Sequence, residues 1–394
     1  MTVSLFSILA GVGCLLVPVA TLLFSPFYRR IRPADDADGG DAGQTADAQT
    51  GGGVPVSIIM AAHNDADALE RNIPLFMEQK YGAGFEMIVV DESSTDETAS
   101  VLNRLSETYP NLYVTFIPDT SHHLSRRKLA LTLAVKAARH EWLILTDASC
   151  HPSTDQWLAR FAANFDNDCQ TVLGLTVLSE EAPGRWRFER LLNNCYQMSF
   201  AESQHTCRYD GRALAFRRST FMASNGFLKN LLYLRGEYDF IANEYSQIPV
   251  EGSDATSRTF ISASHRLIQE RPDAKAWRHE HLDFLEIRHL LAHGGRWRAL
   301  HQADQTYMFA GLLALTAAAV YGLTTADWLL AAVATVSLLA TFAVRARLAI
   351  RAAEDYGDSL APLMIPVYEL TMPFRQLYMR LLHCKTDKFE FIRR

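Results

Sequence analysis

Three kinds of apolar pattern follow one another along the chain. The first is an unbroken run, VSLFSILAGVGCLLVPVATLLF (3–24), free of charge and followed directly by YRRIR (28–32). At about 1.5 Å per residue it reaches across a hydrocarbon core of about 30 Å. No basic segment precedes it and no small-residue cleavage site follows, so it reads as a retained anchor with its arginines on the cytoplasmic side.

The second pattern alternates. Short branched runs, PVSIIMAA (55–62), FEMIVVD (85–91), LYVTFIP (112–118) and EWLILTD (141–147), predict buried strands. Between them, ADALERNIPLFMEQ (66–79), TDETASVLNRLSETY (95–109) and SRRKLALTLAVKAA (125–138) predict helices. Strands and helices in this order predict a mostly parallel sheet covered on both faces, with ligands beyond the carboxyl ends of the strands.

The third pattern is a pair of runs, 307–323 and 328–344, separated by TTAD and followed by Arg345, Arg347 and Arg351. It predicts a helical hairpin that crosses a membrane out and back. The run 360–374 holds Glu369 and three prolines and reads as interfacial or re-entrant. WRHEHLDFLEIRHLLAHGGRWRAL (277–300) reads as one amphipathic helix on the bilayer, and 180–210 as helix then loop whose aromatic residues, Trp186, Phe188, Tyr196 and Phe200, face the core or the membrane. The divisions are an anchor (1–32), a flexible acidic linker (33–53), a cytosolic domain (54–300), a transmembrane hairpin (301–350), and an interfacial segment with a cytosolic tail (351–394).

Composition changes this picture little. Lys+Arg number 38 against Asp+Glu 44, a formal charge of −6 without a basic stripe, so nucleic acid is not an expected partner. Six scattered cysteines without a C-x-x-C pair fit a reducing compartment rather than a disulfide framework or zinc cage.

The chemistry gathers at the predicted strand ends. Asn64, Asp65, Asp91 and Asp147 all fall at or just after one. Carboxylates crowded on one edge repel unless a cation or donor-rich ligand meets them. Arg126, Arg127 and Lys128 open a helix where positive charge opposes the macrodipole, which suits an anionic ligand; Lys128 is the preferred contact, against a solvated basic turn for the other two. In YLRGEYDFIANEY, Glu237 and Asp239 stand two apart: extended, they share a face; in a helix, they diverge.

In order along the chain, VSIIMAAHND, VVDESSTDET, RRKLALTLAVKAA, LTDASCHP, GRALAFRRSTFMASNGF and GEYDF resemble the motifs of family 2 glycosyltransferases of the GT-A fold, over about 54–245. The flanking apolar runs resemble those of membrane-bound bacterial members. The resemblance implies an α/β nucleotide-diphospho-sugar transferase fold, Rossmann-like, at the bacterial inner membrane with its catalytic domain in the cytoplasm. It places Asp91 at the donor's base or ribose with Ala62, Asn64 and Asp96 nearby and Lys128 in the same pocket. It gives Asp147 the first carboxylate of a D-x-D metal motif. It sets Gly211, Arg212, Ala213 and Phe216 along the donor-sugar and acceptor site. Glu237 and Asp239 fall where the family keeps its acidic pair, Asp239 preferred as base and Glu237 a close second. The implied partners are a nucleotide-sugar, a lipid-linked or glycan acceptor, the lipid bilayer and other envelope-glycan enzymes.

Two departures qualify this. Ser149 stands in place of the second D-x-D carboxylate, so a Mg²⁺ or Mn²⁺ held by Asp147 and Ser149 is expected to bind weakly. Three readings stay open: an active variant, an enzyme in which cationic side chains stand in for metal, and a non-catalytic scaffold. The Q-x-x-R-W run of polymerising members is absent from 277–300, which favours single-sugar transfer over a processive synthase.

Overall fold

The computed structural model describes residues 5–32, 53–118, 125–165, 168–202, 206, 208–249 and 257–387. The acidic linker (33–52) and the last residues of the tail lie outside them. In chain order the elements are α1 (Leu5–Phe24), β1 (Val56–Ala62), α2 (Ala66–Met77), β2 (Phe85–Asp91), α3 (Thr98–Thr108), β3 (Leu112–Phe116), α4 (Arg126–Ala137) and β4 (Trp142–Asp147). Next come β5 (Cys150–Pro152), α5 (Trp157–Ala162), β6 (Thr171–Gly174), β7 (Thr176–Leu178), α6 (Gly184–Glu202), β8 (Leu214–Arg217), α7 (Arg218–Ala223) and α8 (Glu237–Tyr245). The chain then forms β9 (Ser257–Phe260), β10 (Leu267–Gln269), α9 (Ala274–Ile287), α10 (Gly294–Thr324), α11 (Trp328–Asp355) and α12 (Ile365–Lys385).

The seven predicted elements from β1 to β4 all form, because their apolar residues have nowhere else to go. Ile58 and Met60 face one side of the sheet, under α2, α3 and α5; Ile59 and Ala61 face the other, under α4 and α8. Such two-sided burial explains why these strands read as continuous apolar runs. The main sheet has the order β3-β2-β1-β4-β8-β6-β9, with β3, β2, β1 and β4 parallel and β8 antiparallel to β4 and β6. A smaller sheet has the order β5-β10-β7. In register, Ala62 pairs with Asp91 and Ala61 with Asp147, so three strands deliver their last residues to one edge.

One expectation from the sequence differs in detail. The segment 277–300 is two helices, not one: α9 ends at Ile287, and the chain turns through His293 at φ 58° before Gly294 opens α10. The run 360–374 is mostly helical: Pro362 lies in a preceding 3₁₀ turn, Pro366 in the first turn of α12 and Pro373 inside that helix.

α1, α10 and α11 pack together away from the sheet. Tyr307 Oη donates to the Val17 carbonyl at 2.8 Å, and Cys14, Leu315 and Ala334 form a small shared core. Within α10 and α11, Arg298–Thr324 and Trp328–Asp355 are long and apolar enough to cross a membrane, with mean hydropathies of 1.6 and 1.9; Ser7–Leu23 of α1 is a shorter apolar helix. Their outward leucines and valines, among them Leu15, Val19, Leu313 and Leu339, are exposed. Phe27 after α1 packs on Phe188 of α6, and Arg187 of α6 pairs with Asp358 after α11, which ties these helices at one end to the α/β body. Arg30 pairs with Asp355, and Arg345, though it follows the second apolar run, is buried between Glu369 (2.9 Å) and Asp304 (3.2 Å).

Candidate active site

The edge beyond β1, β2 and β4 is built by two loops that lock onto each other. After β1, Asn64 takes φ 55° and accepts a hydrogen bond from the Thr95 amide at 2.8 Å, while its own amide donates to Ser94 Oγ at 2.9 Å. After β2, Asp91 accepts from the Ser94 amide at 3.1 Å and its hydroxyl at 2.5 Å. Asp96 caps the Thr98 amide at 3.0 Å and holds the Ala66 amide at 3.3 Å. Ala62 is buried, and its carbonyl accepts from the Glu92 amide at 2.8 Å. These residues thus fix the shape of the edge, leaving Asn64 and Asp96 exposed upon it.

The centre of the edge is Arg127. Its guanidinium lies 2.5 Å from Asp147, 3.8 Å from Glu92 and 3.8 Å from Glu237, with 12 % of its side chain exposed. Burial alone would raise the Asp147 carboxyl, but Arg127, then Arg212 and the two Ser149 hydrogen bonds, outweigh it and hold Asp147 at about 2. Burial pushes Glu92 upward against the pull of Arg127, and pushes Asp65 upward too, with Asp147 adding to that rise. One cation therefore serves several carboxylates, and two buried carboxylate oxygens, Glu237 Oε1 and Glu92 Oε1, lie within ion-pair reach of Arg127 but accept no hydrogen bond. Buried acceptors in that state call for a donor-rich ligand or water.

Glu237 and Asp239 begin α8, and so they diverge. Gly236 makes the turn at φ 94°, where a Cβ would also lie 2.5 Å from Ile287 Cδ1, and Glu237 follows as the first helical residue. Its carboxylate enters the edge beside Arg127, favoured by the positive end of the helix. Asp239 turns away and accepts from the Tyr209 amide at 2.9 Å; burial, opposed by Arg208, pushes it up to about 7. The residue preferred as base from the sequence is therefore not the one beside Arg127.

Lys128 does not reach the edge either. Adjacent helical residues point about 100° apart, and with Arg127 outward Lys128 points into the core. It is fully buried, donates to the Asn230 and Tyr233 carbonyls at 2.6 Å each, and lies 4.9 Å from the Phe240 ring centroid. Burial lowers it to about 8 despite Glu237 nearby. It pins the loop that carries Glu237.

The segment 211–216 divides the same way. Arg212 reaches the site: it pairs with Glu280 of α9 at 2.9 Å and lies 5.0 Å from the Tyr238 ring centroid. Gly211 is small by necessity, since a Cβ there would meet the Tyr209 ring at 2.4 Å. Ala213, just before β8, and Phe216 within it are buried, Phe216 against Phe221 and Tyr245, and line no site.

The expected metal pair is arranged otherwise. Ser149 donates its amide at 3.3 Å and its hydroxyl at 3.1 Å to one Asp147 oxygen, and Arg127 takes the other. Among the described residues no three His, Cys, Asp or Glu side chains converge as ligands. A single carboxylate already paired with a guanidinium is a poor fit to a resident Mg²⁺ or Mn²⁺.

Sequence reasoning had not singled out Glu92, or Glu280 and Asp210. Asp210 is buried, pairs with Arg190 and Arg208 at 3.4 Å each, and accepts from Asn193 at 2.8 Å and Gln197 at 2.6 Å. The signal was a polar stripe on α6, Arg190, Asn193, Asn194 and Gln197, at helical spacing.

Residues 57–223 match the family described as Glycosyl transferase family 2. That segment is similar to family 2 glycosyltransferase domains, and the chain has the GT-A fold. No curated protein matches it by sequence. Among solved structures it is similar to the mannosyltransferase PcManGT from Pyrobaculum calidifontis in complex with GDP-Man and Mn²⁺, at 18% identity over 89% of this chain and 97% of that one, with a TM-score of 0.50. It is also similar to S. aureus TarS 1–349 in complex with UDP-GlcNAc, at 13% identity over 65% and 73% of the two chains, TM-score 0.42.

Proposed function

We propose that this protein is a membrane-anchored glycosyltransferase that moves one sugar at a time, with inversion, from a nucleotide diphosphate donor to a hydroxyl on a lipid-linked or glycan acceptor. The observation that carries it is the buried Glu237 oxygen that accepts no hydrogen bond, beside Arg127 on the carboxyl edge of a GT-A sheet. PcManGT, of the same fold, was solved with GDP-Man and Mn²⁺, which supports the donor class.

In this reading Asn64, Asp91 and Asp96 shape the floor under the base and ribose. Arg127 leaves Asp147 for the donor diphosphate, as a fork of N–H donors suited to phosphate oxygens. It also meets the charge that develops on the leaving diphosphate, which is where electrostatic stabilisation counts most. Glu237 accepts the acceptor hydroxyl's proton as that oxygen attacks the anomeric carbon from the face opposite the diphosphate. Arg212 and Glu280 frame the sugar. Asp239 and Lys128 are positioning residues, one holding the 208–210 loop and the other the loop before Glu237.

The domain divisions follow from the same reading: α1 anchors, α10 and α11 form the transmembrane hairpin, and α12 lies at the interface with Phe374, Leu377 and Leu381 outward. This sets the α/β domain on the cytoplasmic face, beside the arginines that follow α1.

The test is sugar transfer from a panel of UDP- and GDP-sugars to a total lipid extract, read by mass spectrometry. Glu237→Gln is expected to lower turnover by about 10²–10⁴-fold, and Asp239→Asn by less than about tenfold. Equal losses in the two variants would refute the assignment of Glu237 as base.

A further inference from the structure

A cavity of about 330 Å³ lies outside the edge just described, between α6, α9, α10 and α12. We propose that it holds the phosphate-bearing head and the first apolar segment of a membrane lipid, the class to which a lipid-linked acceptor belongs; this rests on the membrane placement and activity proposed above.

Its walls are of two kinds. Trp186 stacks on Trp277 with centroids 5.2 Å apart and planes at 20°, and Leu192, Phe284 and Met372 continue the apolar lining. Against this, seven of the lining residues are arginines and one, Glu189, is a carboxylate. That imbalance has a local consequence. Burial lowers Arg288, and the neighbouring Arg380 and Arg298 lower it further, so the cations repel one another across the space.

Arg375 shows the want of an anion most directly. Its Nη1 reaches Glu189 only at 3.5 Å, while its Nε and Nη2 are buried without a hydrogen-bond partner. Glu189 meanwhile is engaged by His281 at 2.8 Å. Buried guanidinium N–H groups are costly unless satisfied, and phosphate oxygens match their geometry. A bare phosphate would leave the tryptophan wall dry and unfilled; an uncharged lipid would leave the buried Arg375 N–H groups without an acceptor. An amphiphile with an anionic head satisfies both.

The place fits as well as the chemistry. Arg298, His301 and Gln302 line the cavity from the start of the first candidate span, the level at which lipid head groups lie. On α12, Met372, Arg375 and Met379 face the cavity while Phe374, Leu377 and Leu381 face outward. The cavity also shares α9 with the catalytic edge. One side of that helix presents Trp277, His281 and Phe284 to the cavity, and the other gives Glu280 to Arg212 and sets Asp283 near Glu237.

The experiment uses the full chain in nanodiscs of zwitterionic lipid, titrated with dodecyl phosphate and followed by tryptophan fluorescence. Dodecanol and inorganic phosphate serve as the two half-ligands. Saturable binding of dodecyl phosphate is expected, at least tenfold tighter than either half-ligand. Arg375→Gln and Arg278→Gln are each expected to weaken it by about five- to tenfold. Calorimetric binding of UDP and GDP on the same samples reports the donor site separately and is expected to be unchanged in both variants. Inorganic phosphate binding as tightly as dodecyl phosphate would overturn the lipid assignment in favour of a soluble anion. A response that is equal for dodecanol, or unmoved by both variants in folded protein, would overturn the site altogether. Loss of nucleotide binding alone would instead count against the donor-site reading.

Discussion

Replacing Arg127 with Met is the perturbation with the largest calculable consequence. The change removes the one guanidinium that Asp147, Glu92 and Glu237 share. Asp147 falls from an ordinary carboxyl value of 3.8 to about 2 in the folded chain, with Arg127 the largest lowering influence. A difference near two units corresponds to roughly 2.5 kcal/mol. Because the folded value is depressed, this stability is present above pH about 4 and is lost as pH falls through about 2. Glu237 and Glu92 have side chains only 5 % and 9 % exposed, so leaving them uncompensated adds to the loss. Removing one partner of a buried ion pair costs about 3–5 kcal/mol, and the partial exposure of Asp147 places the total near the lower end, about 3 kcal/mol. Thermal unfolding at pH 7 should then drop by about 6–12 °C. The difference should shrink as pH falls towards 3. Arg127→Lys keeps the charge but not the fork and should recover about half of the loss. An Arg127→Met protein that melts within about 2 °C of the parent at pH 7 would refute the reasoning.

Three other outcomes follow from the same geometry. Arg345→Met should destabilise the chain by about 3–5 kcal/mol because it strands Asp304 and Glu369, whereas adding Asp304→Asn and Glu369→Gln to it should restore most of the melting temperature; a triple variant no better than the single one would deny that the trio acts as a unit. Asp239 is raised to about 7 by burial, so it stabilises the fold fully below pH about 4 and loses that contribution as pH rises through about 7. The melting temperature of Asp239→Asn should therefore overtake the parent's above pH 7, and parallel curves from pH 4 to 8 would contradict this. Gly211→Ala should lower both stability and turnover, since its Cβ would overlap the Tyr209 ring that braces Ala213 and Gly174; unchanged melting and turnover would show that the ring has room to move.

The sheet was legible because a strand buried on both faces must be largely apolar, and β1, β2 and β4 are, with Ser57 and Glu86 satisfying each other by a hydrogen bond. The edge was legible because Asp91 and Asp147 terminate such runs. What lies on that edge was less so. Arg126, Arg127 and Lys128 are consecutive, and which of them faces a ligand depends on the rotation of α4 about its axis, a property set by packing against the sheet rather than by local sequence. Glu92 was hidden by its neighbour: the residue after a strand-terminal carboxylate reads as loop until the β1 carbonyl is seen to hold its amide. Glu237 and Asp239 turned on one dihedral, and Gly236 decided it. His293, Gly294 and Gly295 did carry a break signal within 277–300, and the amphipathic pattern on either side masked it. Arg345 illustrates a general limit: a basic residue after an apolar run is where a membrane flank is expected, yet here two distant carboxylates, Asp304 and Glu369, draw it inside.

The central claim is that an arginine-centred carboxyl edge receives the diphosphate of a nucleotide donor. Its most direct test is calorimetric titration of UDP and GDP into the purified full chain, in chelator and with Mn²⁺, comparing the parent with Arg127→Met. One of the two nucleotides is expected to bind in chelator, with affinity at least tenfold lower in Arg127→Met. No binding of either nucleotide under either condition, or binding untouched by loss of Arg127, would contradict it.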